Sequence, residues 1–328
     1  MKVLELIEQR QANWRELEAL IAASPGDPQA ILRAAELYRS VAADLALAES
    51  YQLPPRTVAY LNRLVARAHN FIYRTRTTQW SRWAEMLLVD APRRIFHDRC
   101  VQFAFVLFWG VFLLSAYLTF DERHFPEYGP TILPTEERTG LSDNFSQPLS
   151  GRDWGTNLGM AAFYIMHNTW IGLECFVYSL LVIPGLIKLV YNAAVLGAAF
   201  GFMAQPGNAS SENFFEFVTA HGPFELTAIA LSAGAGLRIG LSWIFTDGMS
   251  RSSSARRALS DSIPLVIAIV TLFFLAALIE GFVSPSSLPQ PLTQYSALVK
   301  RIVAILATAG LLFYFVVLGM APLRDQRT

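Results

Sequence analysis

Charge is what this chain has least of. Only 16% of its 328 residues are Asp, Glu, Lys or Arg, against about a quarter in an ordinary soluble domain, and they cancel to a formal net charge of zero. Without a basic excess there is no electrostatic footprint for nucleic acid, so no nucleic-acid partner is expected. Cysteine is scarce as well: Cys100 and Cys175 both fall in or beside apolar runs, which excludes a disulfide framework. No glycine-rich phosphate loop, nucleophile elbow or HExxH pair occurs, and no cofactor is expected. The opening MKVLELIEQRQANW lacks the apolar core of a cleavable signal.

What is present is apolar sequence, 53% of the chain, unevenly spread. Residues 1–99 are polar and helical in pattern, whereas nearly all the later surplus falls in runs of about 20 residues, enough to cross a bilayer. The expected fold is therefore all-α and polytopic: an N-terminal helical domain over 1–99, then a transmembrane domain over 100–328.

In the first part, Val3, Leu6, Ile7, Trp14, Leu17 and Leu20 follow a helical repeat. Ser24-Pro25-Gly26 stops that helix and Asp27-Pro28 opens the next, about 28–50. Leu53-Pro54-Pro55 breaks the second, and helices over about 56–74 and 78–90 complete an expected four-helix bundle. Trp80, Trp83, Arg93 and Arg94 suit a helix lying along the headgroups.

Six spans are expected, at 100–120, 157–183, 186–204, 222–245, 263–283 and 297–318, with a turn at Pro184-Gly185 and an acidic loop at 121–153. Six crossings put Arg93, Arg94, Arg99, Lys188, Arg251, Arg256, Arg257, Arg324 and Arg327 on one side. By the positive-inside rule that side is cytoplasmic, with both termini, and the acidic loop is outside a bacterial inner membrane. Ala193, Gly197 and Gly201 recur every four residues, as do Ser232, Gly236 and Gly240. Small residues at that spacing let helices approach closely; packing within one chain is the first reading and a homo-oligomer seam the second.

Ionisable groups inside spans are costly and therefore candidates for function. His221 and Glu225, four residues apart at the head of the fourth span, share a helix face. Glu280 lies about one turn from the outer end of the fifth span, and Asn168 also falls near the outer leaflet. Three readings of this group stay open. The carboxylates tie helix ends together; or Glu225 and Glu280 bind an ion or proton on a transport path; or His221, Glu225 and Glu280 hold a divalent metal for hydrolysis, one His and two carboxylates sufficing for a catalytic zinc. Deeper in the membrane, Glu174 and Arg238 are expected to form a buried ion pair. Asn192 is read as an interhelical donor, Arg39 and Asp44 as paired or facing a partner, and His69, His97, His124 and His167 as structural or interfacial.

Several stretches together resemble the bacterial and archaeal membrane-protein family related to the stage II sporulation protein M. They are ELYRSVAADLA (36–46) and YLNRLVARAHNFIY (60–73), HN (167–168), YNAAVLGAAFG (191–201), HGPFELTAIALSAGAGLRIG (221–240) and IEGFV (279–283). HGxxE followed by IEGF is the most specific part; Ala193 departs from the family, which often has glycine there. The resemblance implies a non-enzymatic membrane scaffold or complex subunit: the namesake works with cell-wall hydrolases as a membrane anchor, and other relatives belong with envelope proteins and chaperone-type ATPases. Expected partners are then the lipid bilayer and a protein docked on residues 1–99.

Overall fold

A computed structural model describes residues 3–23, 28–73, 79–289 and 291–323. The described residues are helical or in turns, without a strand, and the chain divides into two compact units at Arg82/Trp83.

The first unit is built from α1 (Val3–Ala23), α2 (Pro28–Ser50) and α3 (Pro55–Tyr73). Their apolar stripes close on one core, in which Leu17, Val41, Leu61 and Leu64 are fully buried beside Trp14 and Leu37. Asp44 is buried there and matched twice: Arg10 stands 3.1 Å from its carboxylate, and Trp14 Nε1 donates to it at 2.8 Å. Arg39 instead donates to the Ala35 carbonyl at 3.4 Å. The Ser24-Pro25-Gly26 and Asp27 signals lie outside the described residues.

The expected fourth helix does not join this core. The division falls inside α4 (Gln79–Glu85), and the π-helical turn Met86–Asp90 and α5 (Ala91–His97) belong to the second unit. The reason is apolar: Ala91 and Ile95 are buried in the membrane core with Leu87 against them, and Tyr314 donates to the Leu87 carbonyl. The boundary expected at 99 therefore moves back to 82.

The second unit continues with α6 (Arg99–Phe120), the short α7 (Tyr128–Ile132) and α8 (Thr135–Asn144), then α9 (Trp154–Ser179) and α10 (Ile183–Met203). After these come α11 (Ser211–Val218), α12 (Gly222–Leu241), α13 (Arg251–Leu278) and α14 (Ser296–Leu312). α13 runs on through a π-helical turn, Ile279–Val283; α14 follows the 3-10 turn Leu292–Tyr295 and ends in the π-helical turn Phe313–Val317.

Five stretches are long and apolar enough to cross a membrane: Arg99–Phe120, Ile183–Met203, Gly222–Leu241, Arg251–Val283 and Leu292–Val317. α9 has the length, 26 residues, but Asn157, His167, Asn168 and Glu174 dilute its hydropathy. Its N-cap is Asp153, whose carboxyl is held below the usual range by hydrogen bonds from Thr156. Two boundaries shift. Pro184 and Gly185 sit in the first turn of α10, where proline lacks no needed donor, and the reversal falls just before, with Val182 at φ 61°. α13 begins at Arg251, a dozen residues before the expected span, because Ser250 caps it by accepting from the Ser253 N–H. Arg324 and Arg327 lie outside the described residues.

α12 is the central post, buried on nearly every side. Its small residues allow this. A Cβ on Gly236 or Gly240 would strike backbone carbonyls of Phe176, Ser179 or Leu180 on α9 and the turn after it, and one on Gly197 or Gly201 would strike those of Phe112 or Ala116 on α6. Both small-residue stripes thus face neighbours within the chain.

Candidate functional site

At one end of the bundle, Arg238 from the last turn of α12 reaches Asp98, the N-cap of α6, and Asp261 on α13, the latter at 3.1 Å. Arg94 adds a 3.0 Å pair to Asp261. Glu174 is elsewhere: its carboxylate meets Lys188 on α10 at 2.7 Å and accepts from Trp170 Nε1 at 3.1 Å. The expected Glu174–Arg238 pair is therefore corrected. The tight reversal between α9 and α10 folds Lys188 back on Glu174, and Arg238 is claimed by two aspartates nearer its own end. Asn192 donates across α10 and α9 to Cys175 Sγ at 3.1 Å.

The opposite end of α12 carries the centre that the sequence pattern points to. His221 is the N-cap residue of α12, Pro223 stands in its first turn, and Glu225 follows one turn on. A carboxylate in a first helical turn is favoured by the free N–H groups there. Glu280 enters from α13 in the π-helical turn Ile279–Val283, a distortion that often accompanies function. It brings Gly281 hard against Ala161 of α9, where no side chain would fit.

His221, Glu225 and Glu280 each offer a ligand atom, and these three atoms all lie within 4.8 Å of one another. His221 Nε2 stands 3.7 Å from Glu225 Oε2, and Asn168 of α9 donates to Glu280 Oε2 at 3.1 Å. Most of the group is buried: His221 is 4% exposed, Asn168 2% and Glu280 8%, while the Glu225 side chain keeps 17% of its surface. All four residues of the expected outer cluster meet in one place.

Two further residues, which sequence reasoning missed, complete it. Ser284 Oγ is 2.9 Å from His221 Nδ1, and the buried Lys300 of α14 donates to the Ser284 carbonyl at 2.8 Å and to Glu216 of α11 at 2.7 Å. The signal for Lys300 was a Lys300-Arg301 pair inside the apolar run SALVKRIVAI, with Glu216 in FFEFV as the match for the lysine. Ser284 carried no sequence signal. Arg152, just before α9, also acts electrostatically on Glu280. The other histidines stand apart: His167 is exposed and stacked on Phe163, His124 pairs with Asp121 at 2.9 Å, and His97 bonds the Ala321 carbonyl.

The family model described as stage II sporulation protein M matches residues 100–285, more than half of the chain. The chain belongs to that family. Within the matched stretch lie Asn168, His221, Glu225, Glu280 and Ser284, the whole of the centre except Lys300, its outer support. A second model, a domain of unknown function (DUF8413), matches residues 5–74, the three helices of the first unit. No curated protein and no solved structure matches the chain. The family, with five membrane-capable helices, makes this a membrane protein.

Proposed function

We propose that the chain is a non-enzymatic scaffold of a bacterial cell-envelope complex, anchored in the inner membrane by six spans, α9 being the sixth, with its three-helix head in the cytoplasm. The observation that carries the reading is modular construction: a helical head with its own core, matched by a domain model of its own, on a membrane unit matched by another. The membrane unit supports a static role. Glycine-to-carbonyl contacts and buried ion pairs fix its helices against one another, and small-residue contacts of this kind hold membrane helices closely. Orientation is supported by Arg94, Arg238 and Arg257 converging on Asp261 at one end of the bundle, the end that also begins α6. The head is then the docking surface for a protein partner.

Affinity purification of the full-length chain from its own membrane, beside a chain lacking residues 1–82, tests this. A stoichiometric protein partner recovered with the first and lost with the second is expected. Recovery of the full-length chain without a stoichiometric partner would contradict it.

A further inference from the structure

We propose that His221, Glu225 and Glu280 bind one divalent metal ion of the zinc class, held between α12 and α13 and braced by α9. Three features carry it.

The first is the donor set. Ligand atoms around a four-coordinate zinc at 2.0–2.1 Å stand roughly 3.3 Å apart. The His221–Glu225 separation of 3.7 Å already approaches that, and the three ligand atoms lie within 4.8 Å of one another. One imidazole with two carboxylates suits zinc or another first-row divalent ion better than soft Cu(I) or all-oxygen Mg²⁺. Three protein ligands leave a fourth position for water.

The second feature is the orientation of the ligands. When His221 Nδ1–H donates to Ser284 Oγ, Nε2 presents its lone pair to the two carboxylates. This is the arrangement of metal-bound histidines, whose second nitrogen is fixed by a hydrogen bond. Asn168 likewise fixes Glu280. Ser284 is held in turn by Lys300, which Glu216 holds.

The third is the imbalance of charge. Among the described residues, no lysine or arginine comes within ion-pair distance of Glu225 or Glu280; the exposed Arg152 acts on Glu280 only from further off, and Lys300, the buried cation nearby, is matched by Glu216. A buried carboxylate, a partly buried one and a nitrogen lone pair facing one another are mutually repulsive. A divalent cation among them removes the repulsion and satisfies all three.

Titration of Zn²⁺ into the chelator-stripped full-length protein in detergent micelles, followed by calorimetry, tests the proposal. One zinc per chain is expected, with binding at least 100-fold weaker in Glu280→Gln and in His221→Ala. Ser284→Ala touches no metal and should weaken binding ten- to a hundredfold while leaving the helical circular dichroism unchanged, as second-shell losses do. Thermal melting of the unaltered protein needs no variant to fold, and Zn²⁺ should raise its melting temperature, as any ligand of the native state does. Absence of saturable zinc binding and of that rise in the unaltered protein would overturn the proposal. So would zinc binding of undiminished strength in a folded Glu280→Gln chain.

Discussion

At the scale of single residues, partnership decides which buried charges matter. Arg238 sits between Asp98 and Asp261, and the Asp98 side chain is 4% exposed. Replacing Arg238 by Ala leaves the buried Asp98 carboxylate without its cation, whereas Asp261 keeps Arg94. Breaking a buried pair in this way costs about 3–5 kcal/mol; because Arg238 itself is 30% exposed, a loss near about 3 kcal/mol is expected. Glu174 and Lys188 are each about a third exposed, so Glu174→Gln should cost less than about 1 kcal/mol. Thermal melts of the two variants in micelles check this contrast; equal losses would contradict the weighting of these pairs by burial. Depth along a span is what a sequence offers, and it cannot say which of several charges at one level is nearest. For the same reason His221, Glu225, Glu280 and Asn168 were legible, as polar side chains at one depth of apolar runs. Ser284 was not, since a serine near a span end is ordinary.

At the scale of helices, the spacing of small residues states that something approaches closely, but not what. Gly236 abuts the Phe176 carbonyl of α9, whereas nothing stands within 4 Å of where a Cβ on Gly310 would lie. Gly236→Ala must push α12 from α9 and should cost about 1–3 kcal/mol, the range for overpacking; Gly310→Ala should be close to neutral. Comparison of their melting temperatures checks it, and equal tolerance would mean that the α9–α12 contact is looser than described. Element ends were read less well than element existence. Pro184-Gly185 looked like a turn and proved to be the first turn of α10, since proline suits both places. The early start of α13 rests on a serine cap, a weak signal among the neighbouring serines of SRSSS. The π-helical turn that carries Glu280 has no sequence signature; Gly281 within it packs against Ala161, where a Cβ would not fit.

At the scale of the molecule, the division into a polar helical part and an apolar part was legible from composition, because a bilayer demands long apolar runs and a head in water does not. The position of the boundary was not, since residues 86–97 are amphipathic and their burial against the membrane core is a tertiary outcome. The centre is likewise a property of the whole membrane unit: α12 supplies two ligands, α13 one, and α9 and α14 hold them in place. The measurement that tests this assembly most directly is X-ray absorption at the zinc edge of the loaded full-length protein. One imidazole and oxygen ligands at about 2.0–2.1 Å, with no sulfur, is the predicted spectrum. Sulfur at about 2.3 Å, which would place the ion on Cys100 or Cys175, or scattering from several histidines, would contradict it.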